Sequence, residues 1–484
     1  MFLKAGAVSL GLLLASRLFG LLRESAQAAA FGATGAADVA VLMLTLPDWI
    51  AGVVASGALA YVLLPAWARQ ARPEVEAVQR NVMLVLLGLG LVLGLLLLVA
   101  HRQALALLAP GLSIFWRLVA GELLVWAALA IPLALLAALW ATRLQHERDF
   151  AGMYGANLVV NGVLVAVLLW AGRVSSFYVL GMGLVAAMVL RLAWLQWRLR
   201  TANKEALDSR LRGNDEARPR ASLWLWAALS AGLPLALPFV ARSIASQHGE
   251  GALATFNYAW KLVELPLMLA VQLVATLAFP HIARAIASGG DAVRPVRTAM
   301  ALAWTLAAAA AAGLLLAAPA IAQILFGWGR MQPESLAQVA QWGRAGAWGL
   351  LPQAAIAVGL TVLASIGRMR PAVIAYAAAL GVLLATGVAG WSHGALVMVL
   401  MNVLFATVAL VVLASMRMRL RDALPLRAMG VSTLLVGVCQ VLHFAGVLRG
   451  VAPVFQVAAA LAAAALVLGI TARASPELRA ALRR

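Results

Sequence analysis

The chain has 484 residues, 64% of them hydrophobic and 11% charged, with a mean hydropathy of +0.95 and a formal net charge of +19. Soluble domains carry about 25% charged residues, so the composition excludes a soluble protein. It also argues against a nucleic-acid partner, because the basic residues sit in short loops between apolar runs, where orienting charges belong. One cysteine, Cys439 in an apolar run, excludes a disulfide framework and a cysteine metal site.

Apolar runs long enough to cross a bilayer recur from end to end, without the alternation of barrel strands, so the expected fold is all-α: a polytopic membrane protein of about fourteen transmembrane helices. The first span, 5–30, carries Arg17, Arg23 and Glu24. An ionisable residue at mid-membrane costs roughly 2.5–3.5 kcal/mol on insertion scales, so these must face water, protein or an anionic ligand. Gly6, Ser9, Ser16, Gly20, Arg23 and Gln27 fall near one helical face, flanked by Arg17 and Glu24. The basic start and Ala26-Gln27-Ala28 resemble a signal peptide, but the charges make that region too long, and a retained helix is expected.

The second span, 37–65, holds Asp38 near its outer end and Asp48 after Pro47. Spans follow at 80–100, 117–142, 150–171 and 175–197, the last with Arg191, expected to reach the cytoplasmic surface. Residues 201–222 form a basic, apolar-poor segment expected to be a mobile cytoplasmic linker. Beyond it lie 223–246, 252–283, 296–320, 337–365, 371–390, 394–415, 427–447 and 452–472. Arg242 near the end of span seven and Arg344 in span ten are secondary candidates, both near enough to a boundary to snorkel. In span eight Asn257, Lys261 and Glu264 share a face; Lys261 and Glu264 are three apart, so a local ion pair competes with a ligand role. Gln272 lies two turns further on.

Alternate loops are basic, which by the positive-inside rule puts both termini in the cytoplasm. Spans two and eight share Leu-Pro (Leu46-Pro47, Leu265-Pro266) and P-x-x-A-R (Pro65 to Arg69, Pro280 to Arg284), which favours duplication of a six-helix unit. The organisation expected is an N-lobe over 1–200, the linker 201–222, a C-lobe over 223–420, and a helix pair with a basic tail over 421–484. No enzyme constellation is present: the six histidines are scattered, with no H-x-x-x-H pair, P-loop or nucleophile elbow. No metal or cofactor is expected; a coupling ion or the membrane potential would supply energy.

Ser16-Arg17-Leu18-Phe19-Gly20-Leu21-Leu22-Arg23-Glu24, with Phe31-Gly32-Ala33 and Ala37-Asp38, resembles the opening of the MurJ (MviN) lipid II flippases of the multidrug/oligosaccharidyl-lipid/polysaccharide exporter superfamily. Leu46-Pro47-Asp48, Ser56-Gly57-Ala58, Leu108-Ala109-Pro110-Gly111, Tyr258-Ala259-Trp260-Lys261-Leu262 and Ile324-Leu325-Phe326-Gly327-Trp328-Gly329 extend the likeness over the first twelve spans, and the last two match the family's usual extra pair. The resemblance implies a two-lobed transporter in the bacterial inner membrane. It would move an undecaprenyl-pyrophosphate-linked saccharide to the outer leaflet beside cell-wall synthesis proteins, in contact with membrane lipid. It also implies substrate binding by Arg17, Arg23 and Lys261, with Asp38 as an associated acidic residue; the charges within the spans themselves add Glu264 as a candidate and Asp48, Asn257, Arg242 and Arg344 as secondary ones. The chain departs from the family where arginines are usual (Ala51, Gly52), at Ser56, and at Trp260-Lys261, so another polyprenyl-linked glycan is an alternative substrate. Two further alternatives are a multidrug cation antiporter, which the arginines oppose, and a non-transporting envelope-synthesis scaffold.

Overall fold

The computed structural model describes residues 2–53, 57–68, 70–205 and 221–482; most of the segment 201–222 and Ser56 lie outside them. Among the described residues there is no strand. The chain packs as two compact units. The first is Met1–Phe239 with Gly249–Ala254 and Trp328–Met331; the second is Val240–His248, Thr255–Gly327 and Gln332–Arg484.

The helices begin with α1 (Phe2–Phe31), α2 (Gly35–Ala51), α3 (Gly57–Trp67), α4 (Arg72–Val99), α5 (His101–Leu108), α6 (Ile114–His146), α7 (Phe150–Val174), α8 (Phe177–Glu205) and α9 (Ala221–Ser246). They continue with α10 (Ala252–Pro266), α11 (Gln272–Ala287), α12 (Val293–Phe326), α13 (Pro333–Ala345), α14 (Leu350–Ser365), α15 (Arg370–Val388), α16 (Gly394–Ala414), α17 (Leu420–Ala423), α18 (Leu426–Phe444), α19 (Pro453–Ala474) and α20 (Pro476–Leu482). Eleven stretches of helix among the described residues are long and apolar enough to cross a membrane. They include Pro333–Ser365, where α13 and α14 run on through a short 3-10 turn. Of the three other expected spans, the second and eighth are each split in two, and the first runs through residues whose side chains are not described.

Both splits follow a proline. Without an N–H, Pro47 and Pro266 each delete one rung of the helical ladder and crowd the preceding turn. The chain answers with a wider π turn, at 52–53 after Pro47 and at Leu267–Val271 after Pro266. The two spans that share sequence motifs therefore also share this interruption.

Packing in the first unit is that of membrane helices, in which small residues let backbones approach. A Cβ on Gly90 would lie 2.6 Å from Pro132 Cα, and one on Gly94 2.9 Å from the Ala128 carbonyl, so α4 and α6 touch nearly backbone to backbone. The far side of α4 exposes Leu84, Val85, Leu91, Val92, Leu95 and Leu96, an apolar surface that fits lipid and would be a liability in water. Asp149 caps α7 by accepting from the Gly152 N–H at 2.8 Å and is held by the Arg198 guanidinium of α8 at 2.8 and 2.9 Å.

In the second unit the alanine-rich α12 is the central post, with α13, α14, α18 and α19 against it. Ala317 and Ala320 meet Ala460 of α19, and α12 kinks at Ala317, two residues before Pro319. The chain ends with α20 folded back on this post. Leu478 is buried with Ala301 and Ala428, and Glu477 forms a 2.7 Å ion pair with Arg297. Burial pushes the Glu477 carboxyl up, but the Ser475 hydroxyl, its own backbone N–H and the Arg297 guanidinium together hold it below the usual carboxylate range.

A carboxyl whose pKa is depressed on docking contributes stability that is complete above its free value and lost as pH falls through the docked one. Amide exchange over 476–482, corrected for its intrinsic pH dependence, should therefore accelerate on acidification below about pH 4.3, the ordinary glutamate value. Glu477→Gln should show the faster exchange already at neutral pH, with no further acid response. Exchange unchanged in the variant would mean that Leu478 packing alone holds the helix.

Candidate functional site

In the first unit the charged groups expected from the sequence gather where α1, α2, α7 and α8 meet. The packed face of α1 runs through Ser16, Glu24, Gln27 and Phe31, each under 7% exposed, with Arg23 half-buried between them. Gly20 on the same face lies against Asn161 of α7. Gly6 and Ser9, expected on this face, lie outside the residues whose side chains are described, as does Gln272. Glu24 is therefore packed inside rather than flanking the stripe.

Arg23 reaches in two directions. It donates to Glu24 Oε1 at 2.9 Å and lies 3.6 Å from Asp48 Oδ2. The other oxygen of Asp48 lies 3.6 Å from the Arg191 guanidinium of α8, which also donates to Asn157 Oδ1 of α7 at 3.1 Å. One carboxylate thus stands between two arginines from different helices. The expectation that Arg191 reaches the cytoplasmic surface is corrected: it is turned into the bundle, its side chain 17% exposed, because Asp48 and Asn157 offer it partners there. Sequence reasoning missed it because an arginine within reach of a helix end is normally assigned to the interface. The pairing residue is also more than a hundred positions away in the chain.

Arg17 differs. It is exposed, it makes no ion pair or hydrogen bond among the described residues, and it lies near enough to Tyr154 of α7 to act on it electrostatically. Arg17, Arg23 and Arg191 against Glu24 and Asp48 leave one positive charge in excess. The 3.6 Å pairs are too long for hydrogen bonds. Each is worth on the order of 4 kcal/mol at an effective dielectric near 20, and less where Asp48, 38% exposed, meets water.

Asp38 is the opposite case. It is 1% exposed and accepts from the Gly251 N–H at 2.7 Å and the Ala254 N–H at 2.8 Å, using both oxygens. Expected among the substrate-binding residues, it is engaged here by two backbone donors at the start of α10, an arrangement that organises the fold.

In the second unit Lys261 donates to Glu264 Oε2 at 2.7 Å, the local pair that the spacing allowed, with side chains 26% and 23% exposed. Trp260 stacks on Phe405 at 6.3 Å, and Tyr258 packs on Phe326. Asn257 is buried, Arg242 is half-buried in α9, and Arg344 is half-buried in the last turn of α13.

The model of the family described as lipid II flippase MurJ matches residues 27–468. A probable lipid II flippase MurJ of Rhizobium meliloti (strain 1021) is 29% identical over 350 residues, 69% of this chain and 64% of that protein, so the match spans just under two thirds of the relative's length. A probable lipid II flippase MurJ of Rickettsia prowazekii (strain Madrid E) is 23% identical over 72% of this chain and 70% of its own. Among solved structures, a lipid II flippase MurJ in an inward closed conformation superposes with a TM-score of 0.76 at 15% identity, covering 95% of this chain and 97% of that one. An inward-facing multidrug resistance MATE family transporter of the MOP superfamily gives 0.63 at 16% identity over 86% and 98%. The fold is shared with both.

Asp38→Ala should lower stability by about 1–2 kcal/mol, the usual cost of removing a capping acceptor and leaving buried N–H groups unmatched. The measurement is the thermal midpoint of the purified protein in detergent; an unchanged midpoint would show that Asp38 is not structural.

Proposed function

The chain belongs to the MurJ family, and on that premise we propose that it carries an undecaprenyl-pyrophosphate-linked saccharide, lipid II, from the cytoplasmic to the outer leaflet of the bacterial inner membrane by alternating access. Both termini are cytoplasmic in this reading. The observation that carries it is the Arg23–Asp48–Arg191 arrangement: cations inside a membrane protein, held loosely by a shared and partly exposed carboxylate.

A pyrophosphate cannot enter hydrocarbon without replacing its water and counterions. Arginine suits the task because its planar fork meets phosphate oxygens two at a time. In the resting site Asp48 acts as an internal stand-in for the ligand. An arriving pyrophosphate, with more charge and more acceptor oxygens, displaces it from Arg23 and Arg191, and the exposed Arg17 makes the first contact. When the ligand leaves, Asp48 returns and the arginines are never left unpaired in low dielectric. Lys261, in the second unit, is already committed to Glu264, so a role toward an anion comes at the cost of an existing pair.

Energy for a one-way cycle comes from outside the site. One charge moved through 100 mV is worth roughly 2.3 kcal/mol, so the membrane potential or an ion gradient is sufficient in scale. A related substrate, another polyprenyl-linked glycan, is favoured by one feature: Ala51 and Gly52 stand where the family commonly has arginines, which leaves the second span without cations there.

In cells depleted of their own lipid II flippase, the chain should restore growth. Arg23→Ala should lower flipping of labelled lipid II in proteoliposomes about tenfold or more, the scale expected when one partner of a desolvated charge contact is removed. Full activity of an Arg17→Ala/Arg23→Ala double variant would overturn the arginine site, and failure of the well-expressed wild type to rescue would overturn lipid II as substrate. Asp48→Asn removes the internal competitor, so it should bind a soluble pyrophosphate-lipid analogue several-fold more tightly while turning over more slowly. Weaker binding would show that Asp48 supports the ligand rather than competing with it.

A further inference from the structure

The turn joining α18 to α19 lies over the end of α13, and a cationic pocket lies between them. Leu316 and Pro319 of α12, Arg344 of α13, His443 of α18, Arg449 of the turn and Gln456 of α19 line a cavity of about 220 Å3. It sits at the opposite end of α18 and α19 from Arg427 and Arg473, which mark their basic ends. Its described lining contains two arginines and a histidine and no carboxylate.

The geometry is built, not incidental. Gly446 takes a positive φ of 71°, which reverses the chain within a few residues, and Arg449 folds back so closely that a Cβ on Gly446 would lie 2.9 Å from its Cδ. Gln456 Nε2 then ties the turn by donating to the Val451 carbonyl at 2.9 Å, with the Leu448 carbonyl at 3.4 Å. Its Oε1 is buried without a partner, as is the Nε of Arg344. A guanidinium keeps its proton under all ordinary conditions. With its Nε shut off from water and no carboxylate in the described lining, the half-buried Arg344 carries a charge that an anion would match.

The surroundings say what kind of anion. Phe444, Val447, Val454 and Phe455 beside the pocket are 73%, 57%, 76% and 67% exposed, an apolar rim where hydrocarbon chains would lie. A charged pocket with an apolar rim at the end of a membrane helix pair matches a lipid, headgroup in and chains along the helices. The free Gln456 acceptor suits a headgroup hydroxyl.

We propose that this pocket binds the phosphate of an anionic membrane lipid through Arg344 and Arg449. This is independent of the Arg17 and Arg23 site and does not rest on the transport reading. The test is native mass spectrometry of the full-length protein from phosphatidylcholine nanodiscs doped with phosphatidylglycerol. The wild type should retain phosphatidylglycerol in preference to phosphatidylcholine. Arg344→Gln/Arg449→Gln should weaken that retention about tenfold or more, as loss of two charge-assisted contacts implies. Arg449→Gln alone, on an exposed turn where folding is not at risk, should show an intermediate loss, and Arg23→Ala none. Equal retention by wild type and Arg449→Gln would overturn the site. Displacement of the lipid by inorganic phosphate at millimolar concentration would overturn the lipid assignment in favour of a free-anion site.

Discussion

A charge inside a bilayer must be matched on the spot, because neither water nor salt reaches it to screen the field. That constraint explains why α1 can exist as a membrane helix at all. Arg23 is tolerable because Glu24 precedes it into the packed interior and Asp48 of α2 meets it from the other side. Asp48 in turn admits Arg191 of α8, and Asn157 of α7 takes up a further donor of that guanidinium. Four helices are held in register by one small set of polar groups.

The same constraint separates structural charges from working ones. Asp38 is buried with both oxygens satisfied at 2.7 and 2.8 Å, and Asp149 is fastened by two contacts from Arg198. Short contacts that engage both carboxylate oxygens are costly to break where they are buried, as at Asp38. The Asp48 pairs are longer, partly exposed and shared between two cations, and the proposed exchange for an anionic ligand rests on that difference. Arg191 also supplies, from α8, positive charge that Ala51 and Gly52 do not supply from the second span.

Both proline interruptions lie next to charged residues. Pro47 and Pro266 remove backbone hydrogen bonds where α2 and α10 end, and the π turns that follow are local solutions with weaker ladders than an unbroken helix. Each unit thus carries one interrupted helix beside its charged residues: Asp48 directly follows Pro47, and Glu264 lies two residues before Pro266.

Periodicity, length and charge placement were enough to determine an all-α membrane protein and the anomaly of Arg17 and Arg23, because each follows from how a local stretch of chain meets hydrocarbon; the second and eighth spans were expected whole, and their interruptions appear only in the structure. The spacing of Lys261 and Glu264 allowed their pairing without requiring it. Tertiary structure alone decided the rest. Asp48 met Arg191 across more than a hundred residues, Asp38 became a cap for a distant backbone, and Arg344 joined Arg449 and His443 in a pocket that no local motif announces. A side chain's charge is written in the sequence. Whether that charge is spent on the fold or held for a ligand depends on the distance and burial of its partners, and those exist only once the helices have packed.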